Sequence, residues 1–271
     1  MREDKPMGEV IVITSGKGGV GKTTATANIG TALAVNGKKV VLVDADIGLR
    51  NLDVVMGLEN RIVYDVVDVM EGICRLRQAL IKDKRYPDLF LLPAAQTKDK
   101  NAISPAQMQE LCERLRQEFD FVLIDCPAGI EQGFKNAVAG ADGAIVVTTP
   151  EISAVRDADR IIGLLEASEL RNPKLLVNRV RIDMVKKGDM MNTEDMIDIL
   201  AIELLGVVPD DESIVVSTNR GEPAVGDNKS MAGKAFNNIA LRILGNEVPF
   251  LDLEVDEGFI IKLIKLISNK K

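Results

Sequence analysis

Four short runs of the sequence are almost wholly apolar, and they constrain the fold more than any other feature. They read VIVIT, VVLVD, FVLID and AIVVTT, and they begin at residues 10, 40, 121 and 144. None of them alternates polar with apolar residues, as a strand with one face in water would. Segments with the 3.6-residue period of a helix lie between them. This order predicts an α/β fold, in which a mostly parallel twisted sheet carries helices on both faces.

The alternation predicts seven strands and six helices. The strands are expected at residues 9–14, 39–44, 88–92, 120–125, 143–148, 174–179 and 203–208. The helices are expected near residues 22–36, 61–70, 104–118, 153–167, 193–201 and 231–244. No linker interrupts this pattern, so one domain is predicted over residues 8–245. A disordered extension is expected at residues 1–7, with Met7 as an alternative start, and an acidic linker at residues 246–257.

The composition excludes several classes of function. A net charge of −7 over 271 residues argues against a chain that coats nucleic acid by bulk charge. Histidine, the commonest acid/base residue and metal ligand, is missing. Cys74, Cys112 and Cys126 form no CxxC pair, so neither a disulfide framework nor a zinc site is expected. The sequence also offers no signal peptide and no apolar stretch of roughly 20 residues. A reducing cytoplasm is therefore predicted.

The stretch SGKGGVGKTT, residues 15–24, follows the first apolar run directly and precedes a predicted helix. It contains the pattern G-x-x-x-x-G-K-[ST] of a phosphate-binding loop, whose glycines let backbone N–H groups turn toward phosphate. Lys22 is expected to reach the β- and γ-phosphates of a nucleotide, and the Thr23 hydroxyl to bind Mg²⁺. A glycine-rich turn with no function is the alternative, but strand, loop and helix follow in the order that the mechanism requires. The pattern does not require Lys17.

Acidic residues end two of the apolar runs, where a nucleotide site needs them. Asp125 ends FVLID and is expected to complete the magnesium shell with Thr23. In VVLVDADIGLRNLD two carboxylates stand two residues apart, which suggests different tasks. Asp44 is assigned to the metal-side network and Asp46 to positioning or activating the attacking water. The alternative is that these acids only cap turns.

Taken together, the motifs KGGVGKTT, VDADIGLRNLD and IDCPAGIE resemble those of the MinD/ParA family of deviant Walker A P-loop ATPases. IGLRNLD together with SAVRDADRI is similar to the MinD-like members of that family. The resemblance extends over residues 8–271 through PEISAVRDADRIIG, LVNR, VVPDD and NRGEPAV. It implies a Mg²⁺-dependent ATP hydrolase that dimerises when ATP is bound.

The resemblance also assigns roles to single residues. Lys17 is implied to reach across the dimer to the partner's ATP and to stabilise charge during hydrolysis, so Lys17, Lys22 and Asp46 are the expected catalytic residues. Asn178 is implied to read the adenine edge, and Pro209 and Asp210 to line the base pocket. The nucleotide-binding residues expected in the loop are Lys17, Gly18, Gly19, Val20, Gly21, Lys22, Thr23 and Thr24. The metal-side residues are Thr23, Asp44 and Asp125.

The last fourteen residues, GFIIKLIKLISNKK, have four lysines and no acidic residue. On a helix most of their apolar side chains fall within an arc of roughly 160°, with lysines opposite. An amphipathic membrane-targeting helix is therefore predicted over residues 258–271, peripheral on the cytoplasmic face of an anionic membrane. The alternative is an ordinary last helix docked on the domain. The residues assigned to the membrane are Phe259, Ile260, Lys262, Leu263, Ile264, Lys265, Leu266 and Ile267.

MinD-like members recruit the septation inhibitor MinC to position the division site, and in some organisms an activator such as MinE stimulates their ATPase. The resemblance implies that Arg156, Asp157 and Asp159 form a partner-binding helix face, although a charge-rich face is often only solvated. Three alternatives remain open: a flagellar-number regulator, a DNA-partitioning ATPase of the same superfamily, and a cluster-carrier ATPase. The acidic chain argues against DNA binding, and the unpaired cysteines argue against a cluster. No specific nucleic acid is expected as a partner.

Overall fold

A computed structural model describes residues 7–99 and 102–251 of the chain. The predicted membrane helix at 258–271, the second half of the predicted linker and residues 1–6 lie outside the described residues. Eight strands occur in the described ranges: β1 Glu9–Thr14, β2 Val40–Asp44, β3 Ile81–Lys82, β4 Leu89–Leu92, β5 Phe121–Asp125, β6 Gly143–Thr148, β7 Lys174–Val180 and β8 Glu203–Pro209.

Helices connect these strands along the described chain. They are α1 Lys22–Val35, α2 Leu52–Val55, α3 Val66–Met70, α4 Leu76–Ala79, α5 Pro105–Arg116, α6 Gln132–Val138, α7 Ile152–Ala167, α8 Ile182–Lys187, α9 Thr193–Leu200, α10 Glu212–Asn219 and α11 Met231–Ile243. Short 3₁₀ turns occupy Glu59–Arg61 and Ala224–Gly226. No helix within the described ranges has both the length and the apolar character that crossing a bilayer requires.

The strands form one sheet in the order β3-β4-β2-β5-β1-β6-β7-β8. Each neighbouring pair is parallel except β3 and β4, which are antiparallel. The predicted fold class is confirmed. β1 lies at the centre, and the strands that follow it in the chain are placed to both sides of it. In such sheets ligands bind beyond the carboxyl ends of the strands where the order reverses.

Each face of the sheet is covered, because neighbouring residues of a strand point to opposite sides. Val10 and Val12 of β1 belong to one apolar cluster, which includes side chains of α3 to α7 and α9. Ile11 and Ile13 belong to the other, which includes side chains of α1, α2 and α11. This double burial explains why the strand sequences are continuously apolar.

All seven predicted strands are present, with ends that differ by at most one residue. The helix predicted at 61–70 is wrong in its first half, where the chain forms a 3₁₀ turn and then extends at Ile62. A capping box sets the true start of α3: the Asp65 carboxylate accepts N–H bonds from Val67 and Asp68, and Asp68 accepts the Asp65 N–H. The prediction missed β3 and the helices α2, α4, α6, α8 and α10. All of these have eight residues or fewer, too short for a clear hydrophobic period.

Candidate nucleotide-binding site

The glycine-rich loop lies at the carboxyl end of the central strand β1 and leads directly into α1. Gly19 and Gly21 have φ values of +79° and +100°, which a residue with a side chain rarely adopts. Gly21 is the N-cap of α1, and no side chain caps that end. The first N–H groups of α1 and its positive dipole end therefore face the loop, as an anion site requires.

The loop also packs tightly against α7. A Cβ atom at Gly16 would lie 2.2 Å from the backbone oxygen of Asp157. Asp157 is thus half-buried against the loop, whereas Arg156 and Asp159 are exposed. The assignment of these three residues to partner binding stays a prediction.

Lys22 lies inside the loop. Its side chain is almost completely buried, and its Nζ donates a hydrogen bond of 2.9 Å to Ser15 Oγ. Ser15 Oγ in turn donates to the backbone oxygen of Lys17 over 2.8 Å. The ammonium group has three donors, and the observed bond to Ser15 is one of them. Sequence reasoning missed Ser15, although its position next to the first glycine of the motif was a usable signal.

The buried carboxylate of Asp125 stands beside this lysine, and that of Asp44 stands beside Asp125. Asp44 and Asp125 end the adjacent strands β2 and β5 and are paired in register. Asp125 accepts hydrogen bonds from Thr23 and, over 3.3 Å, from Thr26 Oγ1. Burial, followed by the charge of Asp125, raises the pKa of Asp44, and burial raises that of Asp125 against the opposing effect of Thr23 and Lys22. Two buried anions this close are costly unless a cation accompanies them.

The residues present fit a magnesium ion. Mg²⁺ prefers oxygen ligands and is held in nucleotide sites by one or two carboxylates together with phosphate oxygens. Asp125 and the Thr23 hydroxyl supply such oxygens next to the phosphate loop. Thr26 was missed in the sequence, although it lies one helical turn after Lys22 on the same face.

Asp44 does more than stand near a metal site. Its Oδ1 accepts the N–H of Asp46 over 2.9 Å, and its Oδ2 accepts the N–H of Leu52 at the start of α2 over 3.2 Å. The loop from residue 45 to 52 is therefore tied at both ends to one carboxylate. Asp46, the residue assigned to water, is half-buried within this loop.

Lys17 differs sharply from Lys22. Its Nζ lies 3.4 Å from Glu151 Oε2 and 3.2 Å from Ser153 Oγ at the start of α7. The side chains of the ion pair are about half exposed. A salt bridge with this exposure contributes about 0–1 kcal/mol, so a stronger anion can displace it. Glu151 could not have been found from the sequence, since it lies 134 residues from Lys17.

The residues assigned to the base lie in β7 and at the end of β8. Asn178 is buried, and its Nδ2 donates a 2.8 Å hydrogen bond to the backbone oxygen of Val20. A Cβ atom at Gly21 would come within 2.3 Å of this nitrogen. Asn178 therefore supports the loop directly. Pro209, at the end of β8, and the exposed Asp210 lie nearby in the sheet, where the Asp210 N–H donates to Val180 O over 3.0 Å.

The cysteines do not form a cluster site in the described structure. All three are free, and Cys112 and Cys126 are buried. Burial raises the pKa of the Cys126 thiol to about 12.

Comparison with known proteins agrees with this geometry. The family model described as "CobQ/CobB/MinD/ParA nucleotide binding domain" matches residues 11–224, most of the chain and the whole of the site above. The chain belongs to this family. The resemblance stated from the motifs is confirmed.

Several relatives within the CobQ/CobB/MinD/ParA family are similar over nearly their full length. The septum site-determining protein MinD of Bacillus subtilis is 62% identical over 260 residues, which cover 95% of this chain and 97% of that protein. The MinC:MinD cell division protein complex of Aquifex aeolicus contains a chain that matches with 53% identity and a TM-score of 0.83, over 89% of this chain and 97% of that chain. Pyrococcus horikoshii MinD, solved with Mg-ADP, matches with 33% identity and a TM-score of 0.80, over 88% and 96%.

Proposed function

We propose that this chain is a Mg²⁺-dependent ATP hydrolase that dimerises when ATP is bound, attaches to the cytoplasmic face of the membrane and recruits a septation inhibitor of the MinC type. It would thereby help to position the division site. The different settings of the two loop lysines support this most directly. Lys22 is buried toward its own loop, whereas the ammonium of Lys17 is exposed and weakly paired.

Within one subunit, the residues divide the work of binding and hydrolysis. The backbone N–H groups of the loop and the Lys22 ammonium bind the phosphates, and Thr23 and Asp125 hold the metal ion. Mg²⁺, when bound, neutralises charge on the β- and γ-phosphates. Asp44 fixes the backbone of Asp46 through the 2.9 Å bond, so that the Asp46 carboxylate can orient a water molecule toward the γ-phosphate.

Lys17 would link this site to a second subunit. Two ATP molecules that face each other across an interface bring many negative charges together, and a cation from each side converts repulsion into attraction. Lys17 must leave Glu151 to do this, and the exposed ion pair opposes that movement by only about 1 kcal/mol or less. ADP lacks the γ-phosphate, so the contact between Lys17 and the nucleotide of the second subunit weakens after hydrolysis and the dimer should separate.

Dimerisation would control membrane attachment through the tail, residues 258–271. Its apolar side chains offer on the order of 10 kcal/mol on burial, and ordering about a dozen residues costs a similar amount. The lysines add roughly 1 kcal/mol each near an anionic surface. One tail therefore binds marginally, whereas two linked tails gain about 10²–10⁴ in avidity. ATP would act as a membrane switch without altering the tail itself.

Sedimentation velocity and liposome co-sedimentation test the proposal together. With ATP and hydrolysis blocked, we expect a dimer that binds anionic liposomes, and with ADP a monomer that stays in the supernatant. Lys17→Ala should keep nucleotide binding but lose the dimer, while Lys84→Ala, an exposed lysine in the β3–β4 turn, serves as the charge-matched control. A monomer with trapped ATP, or equal liposome binding with ATP and ADP, would contradict the proposal. Co-sedimentation of a MinC-type inhibitor with the ATP-bound form tests the partner.

A further inference from the structure

Arg85, in the turn between β3 and β4, joins three parts of the chain that are distant in sequence. Its Nε and Nη2 bind the buried carboxylate of Asp83 over 3.3 and 2.9 Å. Its Nη2 also donates to the backbone oxygen of Met56 over 2.7 Å, and its Nη1 to that of Gly221 over 2.7 Å. Asp83 also accepts the backbone N–H of Arg85 over 2.7 Å, which orients the guanidinium group. The planar fork of an arginine suits this set of acceptors, and a lysine could not reach all of them.

The two carbonyl groups belong to helix ends that touch. Met56 closes α2, and Gly221 follows the end of α10 by two residues. Gly57 and Gly221 have φ values of +63° and +65°, and a Cβ atom on Gly221 would lie 2.4 Å from Gly57 Cα. The backbones meet without side chains between them. Arg85 therefore binds both sides of a direct backbone contact.

The other end of α2 lies in the nucleotide site. α2 is one helical turn, in which Met56 N–H donates to Leu52 O over 3.1 Å and the Leu52 N–H donates to Asp44 over 3.2 Å. Four residues of helix span only about 6 Å. The position of the Met56 carbonyl thus sets the position of the Leu52 N–H, and that N–H helps to hold the Asp44 carboxylate.

We infer that Arg85 is a positioning residue for the acidic loop of residues 44–52, acting through α2 on Asp44. Its effect on turnover rests on the proposed function, because only an ATP hydrolase would use that loop for metal and water. The contacts form one continuous series: Asp83 orients Arg85, Arg85 holds the end of α2, and the start of α2 holds Asp44. The hydrogen bonds of Arg85 go to Asp83, Met56 and Gly221 and not to the phosphate loop.

A role limited to stability would give a different pattern of effects. Loss of a merely structural contact would lower the stability of the whole domain and leave the chemistry of the folded fraction unchanged. A positioning role instead predicts that nucleotide still binds to Lys22 and the loop while the rate of hydrolysis falls. A small misplacement of catalytic groups is enough to lower a rate by tenfold or more.

Arg85→Ala and a matched control, Arg61→Ala, test the inference. Arg61 is exposed and donates to the backbone oxygen of Lys82 in β3 over 2.6 Å. Its replacement therefore removes the same charge and the same type of hydrogen bond close to Arg85 in the chain. Hydrogen exchange of residues 45–56 is measured in the nucleotide-free protein, and steady-state ATP hydrolysis is measured on the same samples. For Arg85→Ala we expect exchange in this segment to be roughly tenfold faster. We also expect kcat to be roughly ten- to a hundredfold lower, with KM within about threefold.

Each outcome is decisive. Unchanged exchange at residues 45–56, or faster exchange with unchanged kcat, overturns the inference, as does an Arg85→Lys variant that behaves like the unaltered chain. Similar losses in Arg85→Ala and Arg61→Ala also overturn it. If the unaltered chain does not hydrolyse ATP, the proposed function fails, while the exchange measurement still decides whether Arg85 holds the acidic loop.

Discussion

Replacing Asp125 by asparagine should stabilise the nucleotide-free protein while removing a group that the site needs. Asp125 is completely buried beside Asp44, and burial raises its pKa from the ordinary 3.8 to about 6. An acid with a raised pKa in the folded state favours folding at low pH, and this contribution is lost as the pH rises through the folded-state value. At pH 7.5 the ionised carboxylate therefore opposes folding.

The magnitude follows from the same pKa values. One pKa step is worth about 1.4 kcal/mol, so the rise from 3.8 to about 6 costs about 3 kcal/mol of unfolding free energy at pH 7.5. At pH 5 the Asp125 carboxyl is largely protonated in the folded chain, so the cost falls to about half. Asparagine avoids this cost and keeps an oxygen that can accept from Thr26, whose hydroxyl lies 3.3 Å from the present carboxylate. The Asp125 charge also raises the pKa of Asp44, so removing that charge lowers the cost of ionising Asp44 and adds to the gain in stability.

Urea unfolding at pH 7.5 and pH 5, without nucleotide, measures the effect by linear extrapolation. Asp125→Asn should be more stable than the unaltered chain by about 3 kcal/mol at the higher pH and by about half of that at the lower. Asp88→Asn replaces an exposed aspartate before β4 and should change stability by less than about 0.5 kcal/mol at either pH. Adding Mg²⁺ and ADP should stabilise the unaltered chain more than the Asp125 variant, because binding raises stability by mass action.

Two results would refute this reasoning. One is an Asp125→Asn protein that is no more stable than the unaltered chain at pH 7.5. The other is a gain that does not shrink at pH 5, since the argument depends on the carboxylate being partly protonated there. An equal stabilisation of both proteins by Mg²⁺ and ADP would show in addition that Asp125 does not take part in metal binding.

Two further substitutions test the loop itself. Gly16→Ala places a methyl group 2.2 Å from the Asp157 oxygen. We therefore expect the free energy of unfolding in urea to fall by about 1–3 kcal/mol and a fluorescent ATP analogue to bind at least tenfold more weakly. Unchanged affinity would show that the contact with α7 does not shape the loop. Asn178→Ala removes the bond to the Val20 oxygen and should cost about 1–2 kcal/mol of stability. If Asn178 also reads adenine, the variant should lose its preference for ATP over GTP in competition titrations. If Asn178 only supports the loop, the substitution should lower the affinities for ATP and GTP equally.

Much of the fold was predictable because its signals are local. A strand buried on both faces must be apolar along its whole length, as in VVLVD, and a phosphate loop must combine glycines with a lysine. The signals that failed were short or conformational. The four-residue helix α2 has no hydrophobic period, and the start of α3 follows from the caps Asp65 and Asp68 rather than from a periodic pattern.

The sequence alone determined the fold class, the phosphate-binding loop with Lys22, and the acidic residues at the ends of two strands. These features depend on neighbours along the chain, so their chemistry can be read from a few consecutive residues. Only the tertiary structure decided the pairing of Lys17 with Glu151, the support of Val20 by Asn178, and the link from Arg85 through α2 to Asp44. Each of these contacts joins residues that the packing of separate helices and strands brings together. The local patterns do not specify that packing, because the same helices and strands could be arranged in many other ways.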